Sequence, residues 1–247
     1  MFAIQTNKLT KRYRSKTAVS ELSLTVNEGE LFALLGVNGA GKTTTIRMLT
    51  CLSKPSSGSC SVCGYDCSKN SADVKAVVGI SPQDTAVAEN LTVLENLKLI
   101  CGIYGYSKEK TASRAGEMIK LFDLNEVENS RAKTLSGGYK RKLSIAMALI
   151  GEPRVLFLDE PTLGLDVLAR RELWKVISRL KGKITIVLTT HYMEEAEQLS
   201  DRIAIMIDGK ISALGSLTEL EQLTGKSGLE NVFVKIAENR SENIAHE

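Results

Sequence analysis

Long apolar runs are what this 247-residue sequence most plainly lacks. The longest, counting glycines, covers residues 99–106, whereas a membrane-spanning helix needs about 20 residues. No spanning segment is expected. The opening Met1-Phe2-Ala3-Ile4-Gln5-Thr6-Asn7-Lys8 lacks the basic-then-apolar plan of a secretory leader, so none is expected. Excess charge of one sign is missing too. Net charge is +3, from 32 basic and 29 acidic residues, too balanced to imply nucleic acid as a partner. With no leader, the five cysteines are expected as free thiols in a reducing cytosol. Repeats, low-complexity tracts and coiled-coil heptads are absent. What is present is ordinary for a soluble globular protein, 43% hydrophobic and 25% charged. That excludes disorder, collagen and a disulfide miniprotein. The length corresponds to about 1.6 domains, which suits one large domain or a core with a satellite.

Leu22-Ser23-Leu24-Thr25-Val26 alternates apolar and polar, as a half-buried strand does. Leu31-Phe32-Ala33-Leu34-Leu35 is continuously apolar and suits a strand buried on both faces. Val155-Leu156-Phe157-Leu158 and Ile184-Thr185-Ile186-Val187-Leu188 are two further such runs. Helical patterns lie between them, so the expectation is a parallel sheet of α/β type. Residues 91–131 read as helix without a convincing strand. Val93, Leu94, Leu97 and Ile100 recur at helical spacing, as do Met118, Ile119 and Phe122. This predicts a helical insert. Residues 203–214 read as a hairpin turning at Asp208-Gly209. From Glu238 the chain is polar and is expected to fray.

Three motifs carry chemistry. Gly36-Val37-Asn38-Gly39-Ala40-Gly41-Lys42-Thr43 fits the phosphate-binding pattern G-x-x-x-x-G-K-[ST], with a buried strand before it and a helix opening at Thr44 after it. Backbone amides would wrap phosphate at the positive end of the helix. Lys42 would reach the β and γ phosphates, and the Thr43 hydroxyl would hold Mg²⁺. Second, the strand ending Leu158-Asp159-Glu160 delivers two adjacent carboxylates. Asp159 can meet that Mg²⁺, and Glu160 is placed to polarise an attacking water as general base. Third, in Leu135-Ser136-Gly137-Gly138-Tyr139-Lys140-Arg141-Lys142, Ser136 can cap the buried helix that follows. Its hydroxyl, two bare glycine amides and a helix N-terminus would make a second anion site.

In this order these motifs resemble the nucleotide-binding subunit of an ABC transporter. The resemblance runs to about Gly228. It implies a P-loop NTPase core with a mainly parallel sheet, an N-terminal antiparallel β portion and a helical subdomain at about 88–150. It bounds an ATP-binding domain at 1–228 and leaves 229–247 as a partly flexible extension. It further implies that Tyr13 stacks on adenine, that residues 36–44 hold ATP, and that Gln83 touches Mg²⁺ and senses the transport partner. Asp166, in Leu163-Gly164-Leu165-Asp166, would lie on a loop crossing a dimer interface. His191 would contact the γ-phosphate. ATP would sit between Lys42 of one subunit and Ser136 of another, in a homodimer or heterodimer that drives a separate membrane permease from the inner face of the membrane. Two departures stand out: Tyr139 where the family usually has Gln, and Gly164 where it has Ala. The stretch Glu160-Pro161-Thr162-Leu163-Gly164-Leu165-Asp166 and Gly228-Leu229-Glu230-Asn231-Val232-Phe233 resemble exporters of drugs, antibiotics, lipids or ions. Importer, translation-factor or chromosome ATPases and a non-catalytic scaffold are the alternatives.

Other features read more plainly. Cys60, Cys63 and Cys67 have metal-like spacing but no fourth ligand, and read as small residues of a strand and turn. Lys8, Lys11, Arg12, Arg14 and Lys16 read as a solvated edge, with some pull on nucleotide phosphates. Lys140-Arg141-Lys142 reads as a solvated helix face. His246 lies in the tail and carries no reading.

Overall fold

A computed structural model describes the backbone of residues 1–245 and the side chains of residues 1–240. In chain order the elements are β1 (Phe2–Tyr13), β2 (Lys16–Asn27), β3 (Leu31–Leu35), α1 (Lys42–Leu49), β4 (Ser57–Val62), β5 (Tyr65–Asp66), α2 (Ser71–Val77), β6 (Val78–Ser81), α3 (Val93–Ile103), α4 (Lys108–Leu121), α5 (Gly137–Leu149), β7 (Val155–Asp159), α6 (Val167–Leu180), β8 (Thr185–Thr190), α7 (Met193–Leu199), β9 (Arg202–Ile207), β10 (Lys210–Gly215), α8 (Leu217–Thr224) and α9 (Leu229–Ala245). Short 3-10 turns occur at Asn125–Val127 and Ala132–Thr134. The chain divides into two compact units, Met1–Lys75 with Lys181–Glu247, and Ala76–Leu180.

In the first unit, β3 is buried along its whole length because its apolar run leaves no polar face. It lies between β8 and β9 and runs parallel to both, with Leu35 opposite Thr190 on one side and Ile205 on the other. β10 returns antiparallel to β9 through Asp208 and Gly209, both at positive φ, as a tight hairpin turn requires. β2, β1, β4 and β5 form a separate antiparallel sheet. Its long strand β1 slips register after Thr6. Buried hydroxyls absorb the irregularity: Thr6 Oγ1 donates to Leu22 O (3.0 Å) and accepts from Leu24 N (2.9 Å), and Thr10 Oγ1 accepts from Glu21 N (3.0 Å). The bulge leaves room only for glycine opposite it. A Cβ on Gly58 would fall 2.2 Å from Lys8 O.

The extension expected beyond Gly228 belongs to this unit's core. Leu229, Val232, Phe233 and Ile236 are buried with Ala33, Leu35, Ile203, Ile205 and Leu220. The helix continues past Glu238 to Ala245, where polarity alone predicts fraying. His246 lies outside the described residues.

In the second unit, β6 and β7 pair in parallel, with Val78 opposite Val155 and Ser81 opposite Leu158. α3 to α6 complete it. The unit is therefore wider than the helical stretch of about 88–150 and includes two strands and α6. α3 starts with a reciprocal cap: Thr92 Oγ1 accepts from Glu95 N and Glu95 Oε2 accepts from Thr92 N. Buried Asn96 closes the preceding loop by accepting from Ala88 N (2.8 Å) and donating to Ala88 O and Thr92 O. The guanidinium of Arg114 donates to Leu149 O (2.7 Å), meeting the negative end of α5. Within 91–131 the one β-type contact among the described residues is a bridge between Thr92 and Arg131.

Because Phe233 is buried in the first unit's core, Phe233→Ala is expected to destabilise the protein by about 3 kcal/mol, measured by chemical denaturation. A loss below about 1 kcal/mol would show that α9 is an appendage.

Candidate functional site

In the first unit the glycine-rich segment leaves the end of β3 and feeds α1. Its spacing is dictated by near-contact of backbones. A Cβ on Gly36 would meet Met206 O at 2.3 Å, and one on Gly41 would meet Ala18 O at 2.4 Å. Gly39 and Gly41 also hold φ of 85° and 105°, which side chains oppose. Gly36 N donates to Thr190 O (3.2 Å), and Gly209 N donates to Ala40 O (3.0 Å). Lys42 is 5% exposed. Its Nζ donates to Gly36 O (2.6 Å) and Val37 O (3.3 Å), so the ammonium lies over the loop.

His191 directly follows β8, whose Thr190 pairs with Leu35. The structure thus brings His191 to the same strand edge as the loop. Its ring lies 4.1 Å from that of Tyr192. Tyr13 ends β1 at the hairpin tip, 45% exposed, with Lys11 Nζ 5.0 Å from its ring centre. The adjoining strand β2 carries Ala18 past Gly41.

In the second unit Gln83 follows β6 and Asp159 ends β7, so both leave the carboxyl edge of a parallel pair. Asp159 and Glu160 are 4% and 5% exposed. Ser136 caps α5, its Oγ accepting from Tyr139 N (3.4 Å). A Cβ on Gly138 would lie 3.2 Å from Ala169 Cβ, so Gly138 is tightly backed, whereas one on Gly137 would make ordinary contact with Leu165 Cδ2 at 3.6 Å. Asp166 caps α6, its Oδ1 accepting from Leu168 N and Ala169 N at 2.9 Å each.

Charge placement separates two helices from the rest. α2, α3, α4, α7, α8 and α9 each carry an acidic residue in the first turn, and α6 has Asp166 as its cap. α1 and α5 have none. At these two N-termini no first-turn carboxylate competes with an incoming anion.

One expectation is corrected. Arg141 and Lys142 are 5% and 7% exposed, not a solvated face. Lys142 Nζ pairs with Glu172 Oε2 at 3.1 Å. Arg141 grips the segment leading from β6: Nη1 donates to Pro82 O (2.7 Å) and Nη2 to Gln83 O (2.6 Å). This role of Arg141 escaped the sequence reading, although a cation one turn before the wholly apolar part of α5 was a signal of burial. By contrast Lys8, Arg12, Arg14 and Lys16 are exposed on the β1–β2 hairpin. Cys60 and Cys67 face each other across the β4–β5 hairpin, Cys67 N donating to Cys60 O (3.0 Å), and Cys51 Sγ donates to Cys67 O (3.2 Å). Hydrogen bonding to Cys60 and burial push the Cys67 thiol far up. Among the described residues no group of three or more His, Cys, Asp or Glu is placed to hold a metal.

A strand–loop–helix cradle with a buried lysine, and a carboxylate pair ending a parallel strand, define a P-loop ATPase of α/β type. The family model described as ABC transporter matches residues 19–163. The chain is 40% identical over 228 residues to the daunorubicin/doxorubicin resistance ATP-binding protein DrrA of Streptomyces peucetius, spanning 92% of this chain and 69% of that one. It is 42% identical over 232 residues to the human phospholipid-transporting ATPase ABCA3, spanning 94% of this chain but only 14% of that protein. A solved ATP-binding subunit of an ABC transporter superposes with a TM-score of 0.85 at 30% identity, over 95% of this chain and 99% of the other. A dimeric ATP-binding cassette in a post-hydrolysis state with ADP and Pi gives 0.78 at 26% identity, over 87% and 98%. The chain belongs to the ATP-binding domains of the ABC transporter family, and it is an ATPase of that family. Among the described residues no helix is long and apolar enough to cross a membrane.

Gly41→Ala places a methyl against Ala18 O at an unfavourable φ. It is expected to lower stability by about 1–3 kcal/mol, read as a lower urea midpoint. An unchanged midpoint would mean that the loop moves away freely.

Proposed function

We propose that this chain is the ATP-hydrolysing engine of a membrane exporter, acting as a head-to-tail pair. The observation that carries the reading is that α1 and α5, each starting at a glycine-rich anion motif, are among the described residues the two α-helices without an N-terminal carboxylate. One chain supplies one of each. A pair would enclose ATP between Lys42 of one subunit and Ser136 of the other, the second helix stabilising charge on the γ-phosphate in the transition state.

The remaining roles follow from residue chemistry. Tyr13 offers a ring to adenine, and the amides of residues 36–44 offer donors to phosphate. Glu160 takes a proton from the attacking water. His191 donates to a γ-phosphate oxygen, and Asp166 serves the facing subunit's loop. Thr43, Asp159 and Gln83 each carry a hard oxygen donor of the kind Mg²⁺ prefers and would hold it, and when bound it would offset charge on the β and γ phosphates. ATP would close the pair and hydrolysis would release it, a two-state closure that converts binding energy into motion. The motion would act on a separate permease at the inner face of the membrane. Gln83 and the exposed Leu99, Ile103 and Tyr104 of the helical stretch are the proposed docking region. The export direction follows the similarity to the drug-resistance protein over two thirds of its length.

Glu160→Gln is expected to reduce steady ATP turnover by at least about 10²-fold and to trap ATP-dependent dimers on size-exclusion chromatography. A loss under about tenfold sinks the general-base role. Dimers that form equally without ATP sink the proposed closure.

A further inference from the structure

The helix that starts at Ser136 is joined to β6 at three successive levels. At the first, a Cβ on Gly79 would lie 2.3 Å from Ala148 O, so strand and helix backbones nearly touch. At the second, the buried hydroxyls of Ser81 and Ser144 lie 3.0 Å apart. At the third, Arg141 holds the carbonyls of Pro82 and Gln83 at 2.7 and 2.6 Å. Positions 141, 144 and 148 form one stripe of a helix. Gly79 and Ser81 share one face of the strand, and residues 82–83 continue it. The contacts therefore run in register, and the last of them moves from side-chain packing to a clamp on the loop.

The chemistry of that clamp is specific. A guanidinium presents several donors in a rigid plane, so it holds two successive carbonyls at once and fixes their relative orientation. An ammonium can also reach two carbonyls, as Lys42 does, but its donors rotate and fix no relative orientation. Arg141 is also almost wholly buried, so water offers the two carbonyls little substitute. From Arg141 to Ser136 is about 7–8 Å of helix at 1.5 Å per residue, too short a rod to bend appreciably.

We propose that Arg141 is a positioning residue that makes the backbone at Gln83 and the anion site at Ser136–Gly138 move as one body. A displacement imposed on Gln83 by a partner is carried through Arg141 to the helix N-terminus that faces the ATP of the opposite subunit. This rests on the functional reading above and adds to it the residue through which the two motifs are coupled. A merely structural Arg141 would lower stability and leave turnover by the folded protein unchanged.

The test uses the full chain with Arg141→Gln, Arg141→Lys, Ser144→Ala and Glu160→Gln. Arg141→Gln is expected to lower kcat by about tenfold or more, as small misplacements at a distance do. Its KM for ATP should stay within about twofold, because the P-loop belongs to the other unit. Amide hydrogen exchange at residues 83–90 should quicken while residues 36–50 are unaffected. Arg141→Lys should recover part of the turnover and, if Arg141→Gln does not fold, carries the comparison itself. Ser144→Ala, which loosens the same packing without the clamp, should melt earlier yet keep its kcat. The proposal is overturned by unchanged exchange at 83–90, by wild-type turnover in Arg141→Gln, or by an equal kcat loss in Ser144→Ala. Should wild type and Glu160→Gln turn over ATP equally, the functional reading fails instead, and the exchange at 83–90 decides the clamp on its own.

Discussion

The close approach of bare backbone at Gly36 and Gly41 is the constraint on which the first unit depends. β3 can deliver its loop against the Met206 and Ala18 carbonyls only because no side chain intervenes. That approach lets Gly36 N reach Thr190 O, which fixes the loop beside the end of β8 and so beside His191. It also folds Lys42 back over the loop carbonyls. Parallel pairing supplies the direction. Strands that run the same way release their loops at the same edge, and ligand sites in open α/β sheets form there. The second unit repeats the device with one pair, β6 and β7, which release Gln83 and Asp159–Glu160 together.

Electrostatics then sets two helix ends apart from the others. Carboxylates near a helix N-terminus offset its positive end and stabilise the helix by a few tenths to about 1 kcal/mol. Most α-helices of this chain take that gain. α1 and α5 forgo it, and both bury cations near that end, Lys42 in the first turn of α1 and Arg141 and Lys142 in the second turn of α5. Cations near a positive helix end are locally unfavourable, so they need partners. Lys142 has Glu172, and Arg141 has two loop carbonyls. A local rule broken at two places, both at anion motifs, is what a sequence shaped for function as well as folding shows.

What was legible in the sequence depended on how local its cause was. The P-loop could be read because glycine spacing, the preceding apolar run and Lys42-Thr43 are all within one segment. The 203–214 hairpin could be read because Asp208-Gly209 names its own turn. β1 was less legible. Its bulge breaks the alternation after Thr6, and the residues that accommodate the bulge, Leu22, Leu24 and Gly58, come from other strands. Burial of Arg141 and the packing of α9 left only faint signals, for the same reason. Lysine and arginine are mostly exposed by type, and a polar helix end reads as solvated. Each is decided by a tertiary partner, β6 for one and the β3–β9 core for the other.

Glu160 stands apart by its backbone conformation. Nine non-glycine residues among those described hold positive φ, and the other eight are exposed or half-buried positions in bulges and turns. Glu160, at φ 50°, is the buried one. A left-handed backbone at a non-glycine residue costs on the order of 1 kcal/mol or more. Glycine would relieve that cost, but it has no carboxylate to offer at the edge where β7 ends. Among the buried residues described, that strain thus falls on one residue whose chemistry glycine does not supply, directly after a strand buried along its whole length. That combination of rigid support and local cost supports the proposed general-base role of Glu160 over a plain acidic turn.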